Sequence, residues 1–454
     1  MRIAFDKIHG AGNDFIVVND LAQQLNLTVE QVRLLCDRHF GIGADGVILA
    51  RPAAEPDAAA FMHYINADGS LAEMCGNGVR CFAKYLLDHH LTPGTAAAPA
   101  SQDQDSQARG DASHNCAHCA AGTQTQTSMT IATPAGLRQV SYTFLRSSSA
   151  KTPALGVYGD SQEDIETPRV SVETPILWAS VDMGAPRFAP ESIPTSLSAT
   201  RELPASTGSG SRENAVVLAR VTVPKQMLKA VFARAGAKNP ARERALPLTV
   251  ASDVHNRERS PREHTLPLTC VNMGNPHAVL FWQDVDEQLA RSFAADPSDF
   301  DITEPGSFLE ALVDVFPKKT NVEFAAVVGP NRLAMRVFER GVGETLACGT
   351  GACATALAAI ILGRAKRSQP VWLQLPGGLL CVRWRDDGHV LLSGPAQTVF
   401  RGSIDLDDLT SCPEPAALDN LVSRHESTAL DDNLSLPRFH NLSRSSHEQT
   451  IRRQ

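Results

Sequence analysis

The chain repeats one short pattern, Cys75-Gly76-Asn77-Gly78 and, far downstream, Cys348-Gly349-Thr350-Gly351. A run with helical spacing follows each copy, over Val79–His90 and Ala352–Arg364. The sequence therefore predicts two cysteines, each at the N-terminus of a helix and beside glycines. At such a position, unpaired N–H groups and the positive end of the helix dipole bind anions and lower the pKa of a thiol.

Other features recur in the same order in the two halves. His9-Gly10-Ala11-Gly12-Asn13-Asp14 precedes the first cysteine, and Asn272-Met273-Gly274-Asn275-Pro276-His277 precedes the second at a similar separation. A single Cys-Gly pair is common at turns, and cysteine is often a buried structural residue. The repetition in order and spacing instead favours a pair of thiols that face one carbon atom from opposite sides.

Composition excludes several classes of function. With 454 residues, of which 43% are hydrophobic, the chain can form two or three globular domains. Its net charge of −8 and the lack of a basic stripe argue against nucleic acid as a partner. The sequence has neither an apolar signal segment nor a run long enough to span a membrane, so we expect a cytoplasmic protein. Its ten cysteines should then be mostly reduced.

Two compact units are expected, separated by stretches of low complexity. We place an N-terminal domain at residues 1–265 and a C-terminal domain at residues 266–393, followed by a strand at 394–403. Three insertions near 96–128, 146–174 and 195–264, and a tail at 404–454, have little apolar surface to bury and are expected to be largely disordered. Within the last insertion, Ala215–Val223 has the pattern of a strand and Gln226–Ala235 that of a helix.

The first insertion contains residue types that bind metals, at His114, Cys116, His118 and Cys119. A single CxxC pair without a second pair at zinc-finger spacing is a weak signal. The flanking residues also offer little that could pack around a closed tetrahedral site. We therefore expect incidental cysteines here and no metal site in the chain.

The motifs together resemble those of the diaminopimelate epimerases, cofactor-independent amino-acid epimerases of bacterial lysine and cell-wall biosynthesis. The resemblance covers roughly residues 1–92, 129–143, 178–194 and 266–403, and it rests on HGAGNDF, NADGS, MCGNGVRC, MGNPH, ERGVGET, ACGTGAC and LPGG. It implies an α/β (α+β) fold of two pseudo-symmetric domains, each a strand-rich sheet wrapped around a central helix. The active site would lie in the cleft between the domains, and the strand at 394–403 would return to the first domain.

The resemblance also implies a reaction, the interconversion of LL- and meso-diaminopimelate by two bases and without a cofactor. One cysteine, as thiolate, would remove the α-proton while the other, as thiol, protonates the opposite face. We expect burial and the helix dipole to hold both thiol pKa values near neutrality. N–H groups around Gly76-Asn77 and Gly349-Thr350 would stabilise the negative charge on the substrate carboxylate.

Residue by residue, the resemblance implies the following site. Acid–base roles fall to Cys75, Cys348, His277 and Glu339. Substrate binding falls to Asn13, Asn66, Gly76, Asn77, Asn275, Asn321, Glu339, Arg340, Gly349 and Thr350. Arg340 would pair with the distal carboxylate of the substrate, for which a planar bidentate donor is suited. At Gly46, where some family members carry glutamine, no side-chain contact can be inferred.

Two other functions are consistent with parts of the sequence. One is a related two-cysteine racemase acting on proline or hydroxyproline, although proline lacks the second charged end that Asn66, Asn321 and Arg340 favour. The other is a non-enzymatic redox or metal-binding protein that uses the two thiols as a switch. The expected partner is a small-molecule substrate, with no nucleic acid or membrane, and a homodimer is left open.

Overall fold

Strands dominate the structure, a computed structural model that describes residues 1–72, 74–91, 127–145, 176–204, 212–224 and 263–408. The predicted helix Gln226–Ala235 and the cluster of His114, Cys116, His118 and Cys119 lie outside these residues. So do most of the predicted insertions and tail. Among the helices that the structure describes, none has the length and apolar composition needed to cross a bilayer.

The described strands of the first lobe follow one another along the sheet in chain order. They are β1 (Arg2–Gly10), β2 (Asn13–Asn19), β3 (Gly46–Arg51), β4 (Phe61–Asn66), β5 (Thr127–Thr133), β6 (Gly136–Leu145) and β7 (Ile176–Asp182). Helices α1 (Val29–Cys36) and α2 (Gly76–Asp88) lie on opposite faces of this sheet. Alternate residues of β2 divide between them: Phe15 and Val17 pack with α2, and Ile16 and Val18 with α1.

The second lobe has a longer list of elements. Strands β8 (Arg201–Pro204) and β9 (Arg212–Ala215) form a separate two-stranded sheet. The main sheet then continues with β10 (Ala219–Pro224), β11 (Glu263–Asn272), β12 (Pro276–Phe281), β13 (Asn321–Gly329), β14 (Arg332–Glu339), β15 (Gly343–Thr345), β16 (Val371–Leu375), β17 (Gly378–Trp384) and β18 (Val390–Asp405). The helices are α3 (Glu287–Ala295), α4 (Thr303–Glu310) and α5 (Gly349–Ile361).

Strand pairing repeats between the lobes. The successive pairs from β1 to β4 are antiparallel, parallel and antiparallel, and the pairs from β11 to β14 follow the same order. A central helix comes next in each lobe, α2 or α5. One parallel pair and two antiparallel pairs then follow in both, from β4 to β7 and from β14 through β16 to β18. This repeat confirms the predicted fold class of two pseudo-symmetric α/β domains.

The two central helices are the most deeply buried elements. Residues 76–86 of α2 and 351–359 of α5 are all buried, and both helices belong to one continuous apolar core. A helix enclosed on all sides needs apolar or small residues around its whole circumference. In α5, alanine and glycine provide most of these small residues. Both helices begin immediately after their cysteine, three residues before the predicted start.

Strand β18 joins the two lobes. Its first residues pair with β17, and Leu391–Ala396 pair with β7 of the first lobe. The rest of the strand runs antiparallel to β1, from Gln397 opposite His9 to Asp405 opposite Arg2. The predicted tail boundary at 404 is therefore wrong, because cross-lobe pairing extends the strand by two residues. The amino group of Met1 lies 2.7 Å from the Asp405 carboxylate at this end.

The predicted domain boundary at 265 is also wrong. Strand β10 lies inside the predicted insertion at 195–264, yet it pairs with β11 from Ala219 opposite Leu268 to Pro224 opposite Glu263. Its buried residues pack with those of the second lobe. The sheet of the second lobe thus begins within the insertion, and the predicted strand Ala215–Val223 is divided between β9 and β10.

Candidate active site

Each cysteine caps its central helix. The Sγ of Cys75 accepts a hydrogen bond from the N–H of Gly78 at 3.3 Å, and the Sγ of Cys348 accepts one from the N–H of Gly351 at 3.4 Å. The glycine three residues on therefore has the same role in both lobes. Serine, threonine, aspartate and asparagine are the usual residues at this position. A cysteine at both helices points to thiol chemistry.

The N-termini of α2 and α5 meet against β18. A Cβ built on either Gly76 or Gly349 would lie 2.9 Å from Cδ2 of Leu392, so both helices reach the same side chain. Asn77 bridges the junction, because its Nδ2 donates to the carbonyl oxygen of Ala347 at 3.3 Å. We call this junction of Gly76, Asn77, Ala347, Gly349 and Leu392 the seam. It brings two helix N-termini, one from each lobe, to one place.

Asn13 and Asn77 lie beside the Cys75 thiol. Asn13 Oδ1 accepts hydrogen bonds from Cys75 Sγ at 3.7 Å and from Asn77 Nδ2 at 3.2 Å. The Nδ2 of Asn13 donates in turn to the Asp45 carboxylate at 2.5 Å. The structure thus brings three of the predicted site residues together, and it orients one of them through a carboxylate.

A buried chain of polar side chains lies in the second lobe. His277 Nδ1 lies 2.6 Å from Oε1 of Glu323, and its Nε2 lies 2.9 Å from Oδ1 of Asn275. The side chains of His277 and Glu323 are both fully buried. Asn321 contacts the segment that follows β14, because its Oδ1 accepts a hydrogen bond from the N–H of Arg340 at 2.9 Å. The contacts of its two ring nitrogens with Glu323 and Asn275 hold the His277 side chain in place.

The Cys348 thiol lies beside a carboxylate. Glu339 accepts a hydrogen bond from the Thr345 hydroxyl, and the charge of its carboxylate adds to burial in raising the pKa of the Cys348 thiol. The Oγ1 of Thr350 lies 3.4 Å from Cys348 Sγ. A buried thiol and a buried carboxylate thus influence each other's pKa, an arrangement suited to acid–base chemistry.

Two predicted substrate residues form local contacts instead. Asn66 Nδ2 donates to the Ser70 hydroxyl at 3.0 Å. The exposed side chain of Arg340 donates to the carbonyl oxygen of Lys318 at 3.0 Å. Among the residues that the structure describes, neither side chain is hydrogen-bonded to the groups around the thiols. Their roles as ligand contacts remain predictions.

The thiol pKa values differ from the prediction. Burial raises the pKa of Cys75 to about 11, although the N–H of Gly78 opposes the change. Burial and the charge of Glu339 raise the pKa of Cys348 well above its ordinary value, and burial also raises the pKa of Glu339. The expectation of thiol pKa values near neutrality is wrong, because desolvation of a thiolate outweighs a few N–H dipoles.

Sequence reasoning gave no role to two buried charged residues, Glu323 and Arg80. Glu323 is the only charged residue of β13, a strand that is otherwise apolar after Asn321, and Arg80 interrupts the apolar pattern of α2. Charged side chains at positions whose neighbours are buried are rare unless they are paired or functional. A charged residue at a position that the apolar pattern predicts to be buried is the sequence signal that could have identified both residues.

The departure at Gly46 has a steric explanation. A Cβ at this position would lie 2.5 Å from both the Tyr64 ring and the carbonyl oxygen of Ile65. The Tyr64 ring packs edge-on against Phe15, with ring centroids 5.5 Å apart, so it has little room to move. Any longer side chain at position 46 would displace this pair.

The fold and this site define a class of protein. Two matching α/β lobes each direct the capped N-terminus of a buried helix at one seam, where thiols, carboxylates and amides meet. Among the described residues, no group of three or more histidine, cysteine, aspartate or glutamate side chains is arranged to hold a metal ion. The architecture is that of a two-lobed epimerase-type enzyme.

Comparison with known proteins gives the family. The diaminopimelate epimerase family matches residues 5–101 and 269–399. A diaminopimelate epimerase of Synechococcus elongatus is 35% identical over 89% of this chain and 99% of its own length. One from Methanococcus maripaludis is 31% identical over 88% and 99%. The solved structure of a hydroxyproline epimerase from Agrobacterium vitis aligns with a TM-score of 0.46 at 12% identity, covering 89% of this chain and 91% of its own. The chain belongs to the diaminopimelate epimerase family and is an isomerase.

Proposed function

We propose that this enzyme interconverts LL- and meso-diaminopimelate by proton transfer between the substrate α-carbon and two thiols, Cys75 and Cys348. The observation that carries the proposal is the matched pair of cysteine N-caps on helices that meet at the seam. The relatives named above as diaminopimelate epimerases support the choice of substrate. The reaction belongs to lysine and peptidoglycan precursor biosynthesis.

The proposed step balances without a cofactor. One thiolate removes the α-proton, and the electron pair of the broken C–H bond moves into the substrate carboxylate, which becomes an enediolate. The opposite thiol then gives its proton to the other face of the same carbon and becomes the thiolate. N–H groups at the starts of α2 and α5 stabilise the charge on the carboxylate oxygens as it develops. In the reverse direction the two thiols exchange roles.

The raised thiol pKa values require a local proton acceptor. The charge of Glu339 acts on the Cys348 thiol, and burial raises the pKa of Glu339 itself, which makes this carboxylate a better match for the proton of a buried thiol. We infer that Glu339 receives this proton when the substrate displaces water from the site. His277, hydrogen-bonded to Asn275 and Glu323, holds the Glu323 carboxylate next to Gly351, whose N–H donates to this thiol.

Substrate length explains the remaining polar residues. Diaminopimelate carries an ammonium and a carboxylate at the end remote from the reacting carbon, and Arg340 is the proposed partner of that carboxylate. Its guanidinium is exposed and bonds a backbone carbonyl, so it can turn to a ligand at small cost. Asn66 and Asn321 are assigned to the same end, and Asn13, Asn77 and Asn275 to the reacting end.

The test is an assay of the purified protein in D₂O with each diaminopimelate isomer, and with proline as the control substrate. Product should carry deuterium at the reacting carbon while recovered starting isomer stays protiated, because the proton is removed and delivered by different groups. Cys75→Ala and Cys348→Ala should each lower kcat by about a thousandfold or more while the circular dichroism spectrum is unchanged. Cys270→Ala, a change at a buried thiol in β11, should keep normal turnover.

Three outcomes would each contradict a part of the proposal. Near-normal turnover in either active-site variant would remove that thiol from the reaction. Equal deuterium in product and recovered substrate would indicate a single base. Turnover of proline at the rate of diaminopimelate would leave the two-thiol chemistry standing but reject the substrate.

A further inference from the structure

Arg80 is a fully buried arginine in the middle of α2, one turn after Cys75. Its Nη2 donates to Oδ1 of Asn77 at 2.8 Å, and its Nη1 lies 3.4 Å from the carbonyl oxygen of Gly76. Both acceptors belong to the first turn of the same helix. The guanidinium therefore folds back along the helix towards the seam.

Two glycines make room for this guanidinium. A Cβ built on Gly10 would lie 3.4 Å from Arg80 Nη2, and one built on Gly394 would lie 3.2 Å from both the guanidinium carbon and Nη2. Gly10 lies at the end of β1, and Gly394 lies in β18 two residues after Leu392. Glycine at both positions leaves space for a large charged group within the core.

The charge of Arg80 is not neutralised by an ion pair. Within the part of the chain that the structure describes, no carboxylate lies within ion-pair distance, and the buried Nε has no hydrogen-bond partner. Lys84, one turn further along α2 and equally buried, shows the usual solution, since it lies 2.8 Å from the Asp88 carboxylate. A buried cation without a counter-ion destabilises the fold. A function at this position would account for its retention.

The hydrogen bond from Arg80 fixes the orientation of the Asn77 side-chain amide. Because Oδ1 accepts from Arg80, Nδ2 must face the seam, where it donates to Asn13 Oδ1 and to the Ala347 carbonyl oxygen. Asn13 Oδ1 also accepts from the Cys75 thiol, and Ala347 immediately precedes Cys348. One arginine thus determines the orientation of the amide that contacts the surroundings of both cysteines.

We propose that Arg80 is a positioning residue of the epimerisation, which orients Asn77 across the seam and supplies a buried positive charge behind the Cys75 thiolate. The inference rests on the proposed two-thiol reaction. It explains why, among the described residues, α2 carries a cation without a carboxylate partner at this place and a paired cation at the next turn. Since Arg80 touches neither the substrate carbon nor the thiol hydrogen, its effect on the reaction is exerted through Asn77 and through its charge.

The direction of the charge effect follows from the groups around the two side chains. Burial raises the pKa of Cys75 at the N-cap of α2, of Cys81 in α2 and of Cys353 in α5, and the positive charge of Arg80 opposes this rise at each thiol. Glu339 of β14 acts on Cys75 in the opposite sense. Removing the arginine charge should therefore raise the pKa of Cys75 and move the onset of thiolate formation to higher pH.

The experiment compares Arg80→Met, which removes the charge and the donor, with Arg80→Lys, which keeps the charge but not the forked donor. For each full-length variant, kcat and kcat/KM are measured against pH, together with the rate at which iodoacetamide alkylates Cys75. Arg80→Met should lower kcat roughly tenfold to a hundredfold and shift the rising limb of kcat/KM and of alkylation to higher pH. Arg80→Lys should lower kcat but leave the rising limbs of kcat/KM and of the alkylation rate near the pH at which they lie in the unmodified enzyme.

Lys84→Met is the matched control, because it also removes a buried cation from α2. It should lower the melting temperature and leave kcat and both pH profiles unchanged. Should the Arg80 variants not fold, Asn77→Ser keeps the arginine and cuts the contact across the seam, and it should lower kcat without moving the limbs. Normal kcat and unchanged profiles in Arg80→Met, or the same profile shift in Lys84→Met, would overturn the inference.

Failure of the inference and failure of the proposed function give different results. If Cys75→Ala and Cys348→Ala are inactive but Arg80→Met and Asn77→Ser behave as the normal enzyme, the two-thiol reaction stands and Arg80 has only a structural role. If the cysteine variants keep their turnover, the proposed function fails whatever Arg80 does. Alkylation of Cys75 reports the charge effect in either case, since it does not depend on turnover.

Discussion

At the scale of single residues, the two cysteines combine opposing influences. N–H groups of the first helical turn favour a thiolate, and burial among apolar neighbours disfavours it. Burial is the larger effect, so the pKa of each thiol is raised and the protonated form is favoured. The α-carbon of an amino acid is a weak acid that needs a strong base, and in the proposed reaction a thiolate of high pKa would meet that need.

This balance predicts slow alkylation of Cys75 at neutral pH. With a pKa of about 11, the thiolate fraction should still be rising at pH 10, so the rate with iodoacetamide should increase by about tenfold for each pH unit from 7.5 to 10. An exposed thiol would instead level off near pH 9. Mass spectrometry of the modified peptide gives the rate at each pH. A plateau below pH 9 would show that the helix N-terminus dominates burial.

At the scale of elements, the two central helices are matched in backbone but not in surroundings. Gly78 and Gly351 both donate their N–H to a cysteine sulfur. A Cβ on Gly78 would meet the end of the Met62 side chain at 3.1 Å, whereas one on Gly351 would meet Oε1 of Glu323 at 2.7 Å. The methionine can move, but the glutamate oxygen is fixed by its hydrogen bond to His277.

The asymmetry predicts different outcomes for Gly78→Ala and Gly351→Ala. Gly78→Ala should change the free energy of unfolding by less than about 1 kcal/mol, since better helix propensity offsets slight crowding. Gly351→Ala should be less stable by about 1–3 kcal/mol through overpacking, and kcat should fall roughly tenfold or more because Glu323 and His277 are displaced. Urea unfolding gives the free energy of unfolding of the two variants, and steady-state kinetics gives their kcat values. Equal losses in both variants would show that the Glu323 contact is unimportant.

At the scale of the whole molecule, individual helices and strands could be predicted from the sequence, but the pairing of distant segments could not. The strand Phe61–Asn66 and the two cysteine-capped helices follow from apolar spacing and turn residues, which act over a few positions. The pairing of Ala219 with Leu268 joins segments separated by a long polar stretch, and no local signal marks it. The same holds for β18, whose residues contact both lobes although it lies in only one half of the sequence.

The candidate site divides in the same way. Motifs identified Cys75, Cys348 and their polar neighbours because those residues recur in order along the chain. Arg80 and Glu323 were missed because their importance depends on what surrounds them. Arg80 has no carboxylate partner among the residues that the structure describes, and Glu323 contacts a histidine from another strand. Burial also reversed the predicted direction of the thiol pKa values, since desolvation depends on the packing of the whole core.

The joining strand leads to a prediction about the molecule as a whole. Leu392 of β18 is fully buried and lies against the first residue of both central helices, so it sets how closely their N-termini approach. Leu392→Ala should reduce the free energy of unfolding by about 2–5 kcal/mol, as for other buried leucines. It should also lower kcat, because a cavity at the seam lets the two thiols move relative to one carbon.

The matched control is Leu373→Ala in β16, an equally buried leucine of the same core. Its loss of stability should be similar, but it does not lie at the seam, so kcat of the folded enzyme should stay within about twofold of normal. Unfolding in urea and kinetics below the transition of both variants separate the two effects. If both leucines lower kcat equally, general loosening of the core would explain the loss, and Leu392 would have no special place between the lobes.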